Sequence, residues 1–238
     1  NITKKLENIE QKIDGVNTDL VVLTPQNYLK YVDDFPICMD PKSEFSLKFR
    51  VDLLSAYVLN KYGGLFLSPG TIVKNLGDIL SKVNNYDLVT FGGAPEIINA
   101  CNNSKFPNNY VLGSQNNNNV IRQYKKRMLD VVLNKRNVAS ENIGTTILSE
   151  VLNEIDCNQY HYSCDVDGTL DINKKLITID DYLGHEEIVY KNENNLRFIS
   201  LPYHMMLLNS DYKWFLNFSY DQFKSSSLFI NRLILSLL

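Results

Sequence analysis

The sequence predicts an α/β domain built on a mostly parallel sheet, and three patterns carry that prediction. Short, nearly continuous apolar runs recur, as in Leu20-Val21-Val22-Leu23 and Leu65-Phe66-Leu67, where strands buried on both faces are expected. Between them stand longer segments with apolar residues at helical spacing, the clearest running from Ser46 to Tyr62. Glycine pairs, Gly63-Gly64 and Gly92-Gly93, close one element and lead into the next. Helices alternating with buried strands point to parallel pairing, because a parallel connection needs a crossover segment.

Ile2, Leu6, Ile9 and Ile13 sit at helical spacing, so the chain opens on an amphipathic helix. Asp19 to Leu23 follows as a buried strand, stopped by Thr24-Pro25. Pro25 to Tyr31 reads as a helical turn or two, and Asp33 to Pro41 as a loop with two prolines. In Ser46–Tyr62, Leu47, Val51, Leu54 and Val58 recur every three or four positions, and Leu53, Tyr57 and Leu59 spread apolarity around the helix, which marks a deeply packed element. Gly63 suits the left-handed position after a helix. Leu65–Leu67 is a strand, and Ser68-Pro69-Gly70-Thr71 halts it.

Further on, Tyr86 to Phe91 reads as a strand closed by glycines, and Tyr110 to Gly113 as another. Val120 to Leu133 and Ile143 to Ile155 are helices. Tyr160 to Ile179 alternates and contains Asp167-Gly168, a hairpin signal. Arg197 to Leu201 is a late strand. No internal repeat divides the chain, so residues 1–238 read as a single α/β domain with a late β-hairpin.

Composition narrows the functions. Of 238 residues 44% are hydrophobic, enough to bury a substantial core. The 24 basic and 27 acidic side chains nearly cancel to −3, so no basic excess marks a nucleic-acid face. No apolar run reaches the ~18–20 residues that cross a bilayer. The nearest approach, Leu228 to Leu238, is interrupted by Asn231, Arg232 and Ser236. Cys38, Cys101, Cys157 and Cys164 form no paired motif and no zinc-ligand spacing with the three histidines, which favours a reducing, cytoplasmic compartment. Sequons at Asn1, Asn102 and Asn217 are what an asparagine-rich chain produces by chance.

Two features bear on chemistry. Asp52 stands between Val51 and Leu53-Leu54 in a helix apolar over most of its circumference. It either emerges on a narrow polar stripe with Lys48 and Ser55, or is buried and needs partners, because an unpaired buried charge costs several kcal/mol. The turn Ser68–Thr71 lies at the end of a strand, where open α/β sheets place ligands. Its glycine admits a ligand close to the backbone, and its hydroxyls can bond phosphate or sugar oxygens.

The run from Phe49 through Asp52 to Tyr62-Gly63-Gly64-Leu65-Phe66-Leu67 resembles a recurrent segment of retaining sugar transferases that carry an Asp-X-Asp motif. That group includes capsular polysaccharide synthesis proteins, initiating α-1,6-mannosyltransferases and α-1,4-galactosyltransferases. The stretch Asn17 to Pro25 and the helix start near Gly144 are similar too. The resemblance implies a GT-A-like (Rossmann-like) fold, a nucleotide-sugar donor, and transfer to a glycan or protein acceptor with retention of configuration. Asp52 matches the Asp that helps hold the donor sugar, the catalytic position. Arg50, Gly64, Ser68, Gly70 and Thr71 fall along the donor-binding stretch. His204 and Trp214 match a C-terminal segment that closes the donor site in related transferases.

Two departures from the group stand out. Ser68-Pro69-Gly70 replaces the Asp-X-Asp that holds a divalent metal on the diphosphate, and Ser55 replaces an Arg after the helix Asp. Neither serine nor glycine supplies an anionic ligand to Mg²⁺ or Mn²⁺. No residue is therefore assigned to a metal, and Arg50, Lys48 or a helix N-terminus is left to compensate the diphosphate. The first strand of the usual nucleotide site is expected ahead of the opening helix, before this sequence begins. One alternative is a catalytically lapsed domain of the same fold, acting as a carbohydrate-binding or assembly module. Another is a haloacid-dehalogenase-type phosphatase, whose nucleophile loop resembles Asp165-Val166-Asp167-Gly168-Thr169-Leu170. Tyr160 to Cys164 alternates instead of forming the buried run such a loop follows, so Asp165 is expected not to be a nucleophile and Asp167-Gly168 to form a hairpin turn.

Overall fold

The computed structural model of the chain describes residues 12–13, 16–17, 19–37, 39, 45–93, 107–134, 143–164, 166–201, 206 and 209–236. It is an α/β fold in which helices flank a mixed sheet. The mostly parallel sheet expected from the sequence is thus corrected. An apolar run reports that a strand is covered on both faces, and carries no information on the direction of its neighbours.

β1 (Lys12–Ile13) pairs antiparallel with β2 (Val16–Asn17), placing Ile13 opposite Val16. This overturns the end of the helix expected over Ile2–Ile13. The rest of that helix lies outside the described residues. The strand expected at Asp19–Leu23 is not formed: the segment is irregular, and Leu20 is 51% exposed. A short apolar run becomes a buried strand only where a partner docks beside it, and local composition does not supply the partner. Thr24 then starts a turn by accepting from the amides of Asn27 and Tyr28, both at 3.1 Å, which continues as the helical turn Tyr28–Lys30, within the turn or two expected over Pro25–Tyr31.

Helix α1 spans Leu47–Tyr62 and starts at Ser46, whose Oγ accepts from the Phe49 amide at 3.2 Å. It ends where the Gly63 amide donates to the Leu59 carbonyl at 2.8 Å. Next come β3 (Gly64–Leu67), β4 (Thr71–Val73), α2 (Leu76–Asn85), β5 (Leu88–Gly92) and β6 (Pro107–Ser114). They are followed by α3 (Asn119–Leu133), α4 (Ile143–Glu154), β7 (Tyr160–Cys164), α5 (Ile179–Leu183), β8 (Phe198–Ser200), α6 (Lys213–Leu216), α7 (Tyr220–Ser225) and α8 (Phe229–Leu235). The larger sheet has the order β3-β6-β5-β7, and β4 pairs antiparallel with β8, Ile72 opposite Ile199. Among the described residues no helix is long and apolar enough to cross a membrane.

Where a late hairpin on Asp167-Gly168 was expected, the chain instead forms an isolated antiparallel bridge between Leu170 and Leu176, and the turn between them contains Lys174 at φ 64°. Asp171 explains the shift: its carboxylate accepts from the amides of Asn173 at 2.9 Å and Lys175 at 2.8 Å, closing the turn locally.

Two compact units make up the chain. The first comprises Asn1–Phe66, Asn75–Val89 and Leu112–His161. In it α1 packs on α3, and both pack on α4. Phe49, Leu53, Ala56 and Leu59 of α1, Ile121, Tyr124 and Met128 of α3, and Leu148 and Val151 of α4 are all buried. Lys125 of α3 places its ammonium 3.7 Å from the centre of the Tyr57 ring. The second unit comprises Leu67–Lys74, Thr90–Val111 and Tyr162–Leu238. Its core gathers Tyr182, Tyr190, Ile199, Leu228, Phe229 and Ile230.

Candidate functional site

Asp52 is buried within the first unit. Its side chain is 5% exposed, and Lys48 Nζ, one helical turn earlier, lies 3.7 Å from Oδ2. The structure shows Asp52 buried and held in the helix-internal pair with Lys48 that its spacing allows. Ser55, also buried, donates its hydroxyl to the Asp52 carbonyl at 2.7 Å, which anchors this turn of the helix. Tyr124 reaches the same region from α3. Burial pushes its phenol well above the ordinary range, and the nearby Asp52 charge pushes it further, so the ring stays neutral beside the carboxylate. Arg50 is buried as well, and its Nε donates to the Ser46 carbonyl at 3.4 Å. Both charged residues occupy covered positions although i and i+2 point about 200° apart on a helix, because α1 is packed over most of its circumference.

Gly64, the next of the proposed donor contacts, has φ 88° and open space where a Cβ would stand. A ligand can therefore approach its backbone, and a side chain there would meet only the strain of that φ.

The turn Ser68–Thr71 belongs to the second unit and is held by its backbone. The Ser68 amide donates to the Tyr110 carbonyl at 2.7 Å, the Thr71 amide to the Ser68 carbonyl at 3.2 Å, and the Leu201 amide to the Gly70 carbonyl at 2.9 Å. Gly70 has φ 83°, which only glycine adopts without strain. Ser68 is buried, and the Thr71 hydroxyl lies 3.5 Å from the Tyr110 carbonyl. With two hydroxyls and no carboxylate, these residues do not fit a divalent cation, which takes carboxylate oxygens. Among the described residues, no group of three or more His, Cys, Asp or Glu side chains is arranged to hold a metal.

The structure thus joins Asp52 to Arg50 on α1, and Ser68 to Gly70 and Thr71 on one turn. Trp214 stands on α6 of the second unit, half exposed against Phe215 and Phe218. His204 and Asp165 lie outside the described residues. Asp167, the second carboxylate of the phosphatase-like motif, is buried. It accepts from the Thr169 amide at 3.3 Å, from the Thr169 hydroxyl and from Asn108 Nδ2 at 3.4 Å, which anchors the chain. Sequence reading missed Tyr124, whose only signal is a core-facing position on an amphipathic helix.

A groove of about 480 Å³ in the second unit is lined by Asp171, Asp180, Asp181, Glu186 and Glu187, with Lys175 and His185. Its excess of carboxylates repels a diphosphate, so it is not the place to seek a nucleotide sugar.

Fold and site together are those of an α/β protein with a buried, counterion-paired carboxylate on its first long helix. Residues 2–165 match the family of capsular polysaccharide synthesis proteins, and the chain belongs to that family. No curated protein and no solved structure matches it.

Proposed function

We propose that the chain is a glycosyltransferase of GT-A-like fold that moves a sugar from a nucleotide-sugar donor to a glycan or protein acceptor with retention of configuration. Family membership supports the class. The observation that carries the reading is Asp52: a carboxylate buried in an apolar helix and held against Lys48 is fixed in direction, as a group that grips sugar hydroxyls must be. Gly64, in the same unit, supplies open backbone for the donor. Compensation of the leaving diphosphate falls to Arg50 and Lys48 of the same helix.

The test is a thermal-shift screen of nucleotide sugars with Mn²⁺ and with EDTA. A true donor at a hundred times its Kd raises the midpoint by roughly 5–10 °C. Chelation leaves that shift in place, Arg50→Ala reduces it, and Asp52→Asn lowers transfer by about two orders of magnitude. Collapse on chelation with recovery in Mn²⁺ would show that other residues form a metal site. The second reading, a lapsed domain that binds carbohydrate or assembles with partners, is favoured by Ser68-Pro69-Gly70 alone. It takes over if no donor stabilises the chain under either condition.

A further inference from the structure

The groove of about 480 Å³ in the second unit, unfit for a diphosphate, has an apolar floor. Isolated antiparallel bridges pair Leu170 with Leu176 and Asp171 with Tyr190. That register sets Ile172 opposite Val189, and the two-residue period of a strand puts Ile172, Leu176 and Val189 on one face. The three are 61%, 52% and 46% exposed. Tyr190, on the opposite face, belongs to the unit's core. The backbone beneath is fixed. The Ile172 amide donates to the Val189 carbonyl at 2.8 Å, and the amides of Lys191 and Ile177 donate to the carbonyls of Leu170 and Thr169, both at 3.0 Å. Carboxylates surround this floor: residues 171–189 hold five against Lys174 and Lys175, a net −3 that equals the formal charge of the whole chain. Three of the five are engaged. Asp171 accepts from the amides of Asn173 and Lys175, Asp181 from the Thr178 amide and hydroxyl, both at 2.7 Å, and Asp180 from the Tyr212 hydroxyl. Glu186 and Glu187 are exposed, line the groove and make no ion pair among the described residues. The loop that carries them is tied to α8, where the Phe229 amide donates to the Gly184 carbonyl at 2.7 Å and Arg232 Nη2 to the His185 carbonyl at 2.9 Å.

We infer that this groove is a docking site for a short basic segment of a partner protein. Apolar side chains of the segment seat on Ile172, Leu176 and Val189, and its lysine or arginine side chains pair with Glu186 and Glu187. Charge selects this occupant, because the same carboxylates repel an anionic lipid, a phosphate or a nucleic acid. A bare metal ion gains nothing from an apolar floor, and among the described residues no three His, Cys, Asp or Glu side chains are arranged to hold one. A second copy of this chain, docked here about a two-fold axis, sets acidic groove against acidic groove. A folded partner domain buries about 800 Å² on each side of a stable interface, more than three half-exposed aliphatic side chains furnish. The occupant is therefore a segment of a few residues, and the fixed backbone keeps the ordering cost on this side low.

The test is fluorescence polarisation of a labelled hexapeptide of alternating lysine and leucine, titrated with the full chain. Saturable binding is expected. Replacing the peptide's lysines by glutamate, or its leucines by serine, should weaken binding about tenfold or more. On the protein, Glu186→Gln combined with Glu187→Gln, and separately Leu176→Asn, should each weaken it about as much, with circular dichroism unchanged. Should Leu176→Asn lose the fold, Ile172→Asn serves the same comparison. Asp19→Asn combined with Asp221→Asn removes two exposed carboxylates outside the groove and should leave binding as it was. A loss equal to that of the Glu186 and Glu187 pair would show attraction by net charge alone and overturns the site. Absence of saturable binding overturns it too, as does full affinity for the serine peptide. Displacement of the peptide by an equal concentration of spermine would assign the groove to a small polyamine instead. A signal that appears only as the chain self-associates would assign it to a second copy, and either result overturns the partner segment.

Discussion

Gly63 and Gly64 are adjacent, both have positive φ, and their surroundings differ completely. A Cβ on Gly63 would stand 2.7 Å from the Asn116 amide nitrogen and 3.0 Å from the Ser114 carbonyl oxygen, backbone atoms that cannot rotate away, whereas one on Gly64 meets nothing within 4 Å. Gly63→Ala should therefore cost about 2–4 kcal/mol and Gly64→Ala about 1 kcal/mol, the strain of φ alone. Urea midpoints of the two variants check this, and equal losses would contradict it. Any reader of the sequence sees that Gly-Gly stops a helix. Which glycine is indispensable depends on Asn116, far along the chain. Asp52 divides in the same way: Lys48 at one turn's distance is visible in the sequence, but the approach of Tyr124 from α3 is not.

At the scale of elements, α1 is legible to within a residue because its signals are local: the recurring apolar positions and the terminal glycine. Its stability should divide between cap and core. Ser46→Ala removes one capping bond and is expected to cost about 1 kcal/mol. Leu53→Ala empties a fully buried position among α3 and α4 and is expected to cost 2–5 kcal/mol, at the order of magnitude set by large-to-small core substitutions. Chemical denaturation of both variants tests the ranking, and a cap loss exceeding the core loss would show that α1 is held by its end instead of its face. Strands fared differently. The apolar run at Asp19–Leu23 found no ladder among the described residues, and β6 begins at Pro107, ahead of the Tyr110–Gly113 run that announced it. A helix closes its hydrogen bonds within four residues, while a strand depends on a neighbour that its own residues do not name.

For the whole molecule, His161 on β7 links stability to pH. Burial pushes its imidazole below the ordinary range, and Lys82 pushes it in the same direction. The unfolded chain therefore binds a proton at His161 before the folded chain does. The corresponding stability is fully present above the unfolded value of about 6.5 and is lost as pH falls toward the lower folded value. Urea midpoints of wild type and His161→Gln between about pH 7.5 and pH 5 test this: the wild type should lose more than the variant, and parallel losses would remove His161 from the account. Local bonding explains what the sequence by itself determined, namely the α/β class, the length and closing glycine of α1, the strand after Gly63 and the family to which the run around Asp52 belongs. Direction and pairing of the strands, the division into two units, the bond from Asn108 to Asp167, and the burial of Asp52 were decided only by the tertiary structure. Each of these depends on contacts between residues distant in sequence, and nothing in a residue's own propensity or spacing encodes which distant partner reaches it.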